Sequence, residues 1–191
     1  MPTHAGLSPP RGELMDAPDI RRFRDPLDFI AEAHFRERTM LALLDALADA
    51  ARPDPAEAAR VLAHMTVETP AHHRDEEEDV FPLLRRRAEP EDAVAPLLAR
   101  LAVEHGVGDE HAATLEPVLA RLAAGGAAPD AAERGAMRAY ARAEKRHLIL
   151  ENAVLAPLAR ARLTDGDRRS ALLRMAARRG VDLTSAAEGA R

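Results

Sequence analysis

The chain has 191 residues, of which 47% are apolar and 31% charged, with a formal net charge of −5. That length suits one well-buried domain and is short for two; the evenly split charge gives none of the basic field that nucleic acid requires, so no nucleic-acid partner is expected. Cysteine is absent, which removes disulfides, thiolate metal sites, iron–sulfur ligation and a cysteine nucleophile together and leaves nitrogen and oxygen as the donors for any metal.

The first residues, MPTHAGLSPPRGELMDAPD, lack the apolar centre of a signal peptide, and no apolar run approaches a membrane span. A cytoplasmic protein with no membrane partner is the expectation. Residues 1–24 are rich in proline, glycine and charge without periodicity and read as a flexible N-terminal arm; His4, inside it, is not a candidate ligand. Asp25 and Pro26 then supply an N-cap and a first-turn proline, and Leu27, Ile30, His34, Leu41 and Leu44 share one helical face to about Ala51. The same start recurs at Asp54 and Pro55, opening a second helix through Val61, Met65, His72, Glu76 and Leu83 that fades in Arg85, Arg86 and Arg87. Pro70 should kink it just ahead of His72.

A third helix starts near Glu91 or Asp92, carries Leu97, Leu98, Leu101, His105, Leu115 and Leu119, and stops at Gly125 and Gly126. Asp130 caps a fourth, which holds Met137, Tyr140, His147, Glu151 and Leu155 and ends near Leu163. Thr164 or Asp165 opens a short fifth helix through Leu172, Leu173 and Met175, closed by Gly180. No stretch alternates as a strand would. Alanine and leucine dominate and aromatics are 3% of the chain, so the expected fold is all-α: an antiparallel up-down four-helix bundle over residues 25–163, with a short fifth helix and tail over 164–191.

Two spacings carry the chemistry. His72 with Glu76 and His147 with Glu151 each stand four apart, which on a helix puts an imidazole and a carboxylate on one face about 6 Å apart along the axis. A proline follows each histidine ten residues later, at Pro82 and Pro157, and one further histidine lies on the apolar face of the helix before each pair, His34 and His105. Six polar groups on core-facing positions of four helices must find partners, because burying each unsatisfied costs a few kcal/mol. Imidazole and carboxylate without sulfur favour iron, manganese or zinc, and carboxylates from two helices suit bridging of two ions.

HHRDEEEDVFPLL, with its helix-ending Phe-Pro, and HLILENAVLAPLA resemble the second and fourth helices of hemerythrin-like (HHE cation-binding) domains, and AEAH at 31–34 and AVEH at 102–105 resemble the first and third. The resemblance implies a four-helix bundle around a non-haem centre of two iron ions, with His34 and His72 on one iron, His105 and His147 on the other, Glu76 and Glu151 bridging, and an oxo or hydroxo bridge completing the shared set. Oxygen-carrying hemerythrins place a second histidine one turn after the first on the third helix, where this chain has Asp109. The six-residue set is therefore more similar to bacterial di-iron proteins that repair iron–sulfur centres and react with nitric oxide, although the cysteine-bearing N-terminal domain of many of them is absent.

His73 with Glu77 repeats the four-residue spacing one position later and competes with the 72/76 register. His64 and Glu68 read as a capping or supporting pair beyond the Pro70 kink, His111 as surface, Asp109 as a solvated carboxylate and Tyr140 as a tyrosine at the edge of the core. A ferritin-like site would need Glu-x-x-His on two helices, and Glu144 to His147 is the one match. The acidic run from Asp75 to Asp79 reads as water-facing apart from Glu76. Three functions follow: a di-iron protein that binds or reacts with dioxygen, nitric oxide or peroxide, drawing on an electron donor the sequence does not identify; an iron donor or repair factor for damaged iron–sulfur centres; or a non-enzymatic oxygen or iron sensor or storage module.

Overall fold

A computed structural model describes residues 17–184. Five helices account for them: α1 (Pro26–Asp49), α2 (55–87), α3 (Val94–Ala123), α4 (131–162) and α5 (Asp165–Arg178), with single 3-10 turns at Ile20–Arg22 and Pro90–Asp92 and no strand among the described residues. Local chemistry sets the starts. Asp25 accepts a hydrogen bond from the Leu27 amide at 2.8 Å and Asp54 from the Ala56 amide at 2.8 Å, each followed by a first-turn proline whose missing N–H has no helical partner to lose. Asp130 with Glu133, and Thr164 with Asp167, form reciprocal capping boxes. Gly125 and Gly180 end α3 and α5 at φ of 73° and 70°, a backbone conformation that costs glycine little.

Each of the four long helices packs on two others, α1 on α4 and α2, and α3 on α2 and α4. Asp45 and Asp49 near the end of α1 meet Lys145 and Arg138 of α4, and Asp28 near its start meets Arg160. The buried apolar residues fall into two separate clusters: Leu27, Ile30, Val80, Phe81, Leu101 and Leu155 belong to one, Leu41, Met65, Leu115 and Tyr140 to the other. On α1, α2 and α3 the division falls around His34, His72 and His105, and on α4 it falls just after Leu148, around Glu151. Ile20 also lies in the core, 1% exposed, so the last part of the segment read as an arm is packed.

Pro70, Pro82 and Pro157 lie inside continuous helices, so the Phe-Pro expected to end the second helix does not end it, and that helix runs on to Arg87. Ahead of Pro70, Pro82 and Pro157 the helix widens into a π turn, His64–Glu68, Glu76–Val80 and Glu151–Leu155, in which the Thr69, Phe81 and Ala156 amides donate to the His64, Glu76 and Glu151 carbonyls. A proline ring clashes with the carbonyl four residues back and offers no N–H; one extra residue in the turn removes both problems. Pro117 sits in α3 without such a turn, so proline alone does not dictate it.

The acidic run is the second correction. Asp75 and Asp79 do not face water: they are 1% and 0% exposed and are held by arginines of the C-terminal segment. Arg178 and Arg179 both donate to Asp75, at 2.6 to 2.9 Å, and Arg174 and Arg178 to Asp79. This clamp fixes α5 against the π turn that begins with Glu76. Removing one side of such a buried pairing strands its partners, so Asp75→Ala is expected to lower unfolding free energy by about 1–3 kcal/mol, read as a lower urea midpoint with an unchanged slope; an unchanged midpoint would show that α5 is held by its apolar contacts alone.

Candidate metal centre

His34 on α1, His72 and Glu76 on α2, His105 on α3, and His147 and Glu151 on α4 meet in the layer between the two apolar clusters, and all six are buried. Their side-chain donor atoms form two overlapping groups, His34, His72, Glu76 and Glu151 on one side and Glu76, His105, His147 and Glu151 on the other, each with its atoms within 4.8 Å of one another. Both carboxylates belong to both groups. Every imidazole turns Nε2 inward: His34 Nε2 lies 3.3 Å from Glu151 and 3.6 Å from Glu76, His105 Nε2 3.4 Å from each, His147 Nε2 2.7 Å from Glu151, and His72 Nε2 3.9 Å from Glu76.

Outward, three of the four imidazoles meet a partner. His34 Nδ1 is 3.2 Å from Asn152 Oδ1, His105 Nδ1 2.7 Å from Glu77 Oε1, and His147 Nδ1 2.9 Å from Glu104 Oε2. Such acceptors fix the tautomer that leaves Nε2 free and raise its basicity as a donor to a metal. Glu104 was not singled out by the sequence; its partner lies 43 positions away on α4, and no local pattern marks that pairing. Glu77, the rival to Glu76, serves in support of His105.

Two buried carboxylates beside four imidazoles set the electrostatics. Burial works against a charged His105, yet hydrogen bonds to Glu151 and Glu76 outweigh it and raise the imidazole to about 11. Burial likewise opposes a charged His147, which Glu151 and then Glu104 lift to about 9. For His72 burial prevails over Glu76, and the imidazole is held well below its ordinary range. Against the cost of burial, His72, His105 and His34 keep Glu76 ionised far below the usual carboxylate range. Glu76 and Glu151 raise His34 as well, against the cost of its burial, so three of the four imidazoles are biased toward their charged form.

A second acidic pair lies close by. Glu37 on α1 is pushed up to about 8 by burial and then by Glu144 and Glu151, and Glu144 on α4 is raised chiefly by burial. Glu144 lies against α3 because position 108 is glycine: a Cβ there would come 2.7 Å from Glu144 Oε1. Tyr140 is 1% exposed and part of the core rather than at its edge.

The remaining residues sort plainly. His73 lies outside both groups but is buried, stacked on His105 with ring centroids 4.0 Å apart and planes 10° from parallel, with Nδ1 3.2 Å from Asp109 Oδ1. Asp109 is half exposed, as expected of a solvated carboxylate, and has this partner besides. Glu68 takes two hydrogen bonds from the buried Arg36, at 3.0 and 3.1 Å, with His64 Nδ1 3.6 Å away, so that pair ties α1 to α2 and caps nothing. His111 is exposed, and His4 lies outside the described residues.

The helices and their buried nitrogen-and-oxygen cluster define a helical metal-binding domain. The chain belongs to the hemerythrin family: the profile of the hemerythrin HHE cation binding domain matches residues 25–159. No curated protein and no solved structure gives a significant match to the chain.

Metal uptake at the cluster must displace the protons on His105 and His147. Both are raised above the ordinary imidazole value of about 6.5, so the metal-free protein is expected to hold these protons at neutral pH and to release them on binding. Adding ferrous or zinc ion to metal-free protein at pH 7 in a weakly buffered indicator solution is expected to release protons, with affinity rising as pH rises; uptake without proton release would contradict this assignment.

Proposed function

We propose that the protein is a non-haem di-iron protein that binds or reacts with a small ligand such as dioxygen, nitric oxide or peroxide, built on an antiparallel up-down four-helix bundle with α5 packed against it. His34 and His72 would hold one ion, His105 and His147 the other, and Glu76 and Glu151 both. The donor set supports this reading. Of ten buried side-chain nitrogen and oxygen atoms without a hydrogen-bond partner among the described residues, seven belong to His34, His72, Glu76, His147 and Glu151, and all of these but His72 Nδ1 face the layer. Orphaned polar atoms at that density are costly unless a cation satisfies them.

Iron held there would supply the capture or reduction of the ligand; the chain supplies position and exclusion of water. The observation that carries the choice of ligand is a cavity of about 20 Å³ touching His34 and Glu76 and otherwise walled mainly by Leu27, Ile30, Val80 and Leu155. It is water-sized and largely apolar, suited to an uncharged diatomic molecule. A second reading, iron donation or repair of iron–sulfur centres, is favoured by Asp109: its partner is His73, which leaves two imidazoles for each ion as in the repair-type proteins the sequence resembles.

Protein purified without added metal is expected to carry close to two irons per chain and an optical spectrum that changes on reduction and on exposure to air or nitric oxide. His72→Ala and His147→Ala should each lose most of the iron, whereas His111→Ala should keep it. Iron that passes to a chelator within minutes would select the donor reading over the first. Zinc, or no metal in a folded protein, would overturn both.

A further inference from the structure

A second, larger cavity lies on the α1–α2 side of the cluster. Its volume is about 390 Å³, and Ile20, Phe29, Ala33, Val67 and Ala71 form most of its apolar wall, with Val181 after α5 beside them. Protein interiors leave few voids larger than a water molecule, and an unfilled apolar hollow of this size forfeits the contacts its lining atoms would make. Val67 on its wall is apolar yet 65% exposed. The nearby orphaned polar atoms, both ring nitrogens of His72 and Glu37 Oε1, have essentially no accessible surface, so they play no part in what fills it. Shape and apolar area decide the occupant.

The chain itself brings one to the wall. The described residues begin at Ala17, and Ala17 and Pro18 already line this cavity. An extended chain advances at most about 3.6 Å per residue, so Met15 and Leu14 are held within about 7 and 11 Å of Ala17. They are large apolar side chains, and at about 30 Å³ per heavy atom, a water's share of liquid volume, together they take up about 240 Å³. The other end of the chain is ill suited. Val181 also lines the cavity, but residues 185–191 read SAAEGAR and carry no apolar side chain larger than alanine. A tethered occupant also has a high effective concentration at the wall, which a free molecule or a second copy lacks.

We propose that Leu14 and Met15 dock in this cavity and plug it, closing the α1–α2 side of the metal cluster with a segment of the same chain. Docking removes both side chains from water together with the apolar wall of Phe29, Ala33, Val67 and Ala71. The plug covers the face of α2 that carries Ala71 and His72, and so adds a layer between solvent and the cluster. It goes beyond the proposed function and needs no metal.

The full chain would be compared with Leu14→Asp/Met15→Asp and with Leu7→Asp, a change in the same segment ten residues ahead of Ala17. Each is titrated with Nile red, an uncharged dye that brightens in apolar surroundings, and its urea midpoint and oligomeric state are measured on the same sample. The unaltered chain is expected to bind the dye weakly. Leu14→Asp/Met15→Asp should bind it about tenfold tighter and unfold at a lower urea midpoint with an unchanged slope, while Leu7→Asp matches the unaltered chain in both. Adding Val67→Trp, which crowds the cavity, to the double variant should return the dye affinity toward that of the unaltered chain and so locate the dye here. Equal dye affinity in the unaltered chain and the double variant would overturn the proposal, as would an equal effect of Leu7→Asp or a dye response that Val67→Trp leaves unchanged. Tight dye binding by the unaltered chain would instead make the cavity an open ligand site, and dye exclusion that appears only as the chain dimerises would assign it to a second copy. Neither readout depends on iron, so failure here leaves the di-iron reading standing.

Discussion

Glu76 and Glu151 have no solvent exposure, and the ion-pair partners found for them are imidazoles, with no lysine or arginine. Burying even one ionised carboxylate costs several kcal/mol unless charge and hydrogen bonds offset it. The surrounding architecture is arranged around that cost. Four helices each bring one histidine to the same layer, and the apolar core divides into two clusters on either side of it. In the metal-free protein the buried carboxylates raise the imidazoles of His34, His105 and His147; a pair of divalent cations would offset the buried charge and would satisfy the inward-facing orphaned atoms as well.

Holding that layer takes contacts well away from it. Glu76 and Glu151 each open a π turn whose extra residue accommodates a proline six positions later. Three arginines at the end of the chain grip Asp75 and Asp79 on either side of Glu76, so α5 is tied to the backbone that aims a central carboxylate. Asn152, Glu77 and Glu104 orient three imidazoles from outside. Two cavities border the cluster, a water-sized one at His34 and Glu76 and a much larger one at His72.

What the sequence made legible was local. Asp25-Pro26, Asp54-Pro55, Asp130 and Thr164 announce helices because cap chemistry acts within three residues, and the four-residue spacing of His72 with Glu76 and His147 with Glu151 announces a shared face for the same reason. What stayed hidden was non-local or broke the ideal period. Asp75 and Asp79 read as water-facing because their partners Arg174, Arg178 and Arg179 lie about a hundred positions on, and Phe-Pro at 81–82 read as a helix end because a widened turn, which the ideal period does not show, accommodates the proline. Glu37 and Glu144 sit on ordinary helical positions; only their packing, with Gly108 clearing space for Glu144, reveals them as buried.

We propose that one layer of six side chains holds two ions. Anomalous diffraction at the iron edge from crystals of protein purified without added metal tests it most directly. Two peaks are predicted within the layer, one beside His34 and His72 and one beside His105 and His147, with Glu76 and Glu151 reaching both. A single peak, or density elsewhere with this layer left to protons, would rule out a two-ion layer.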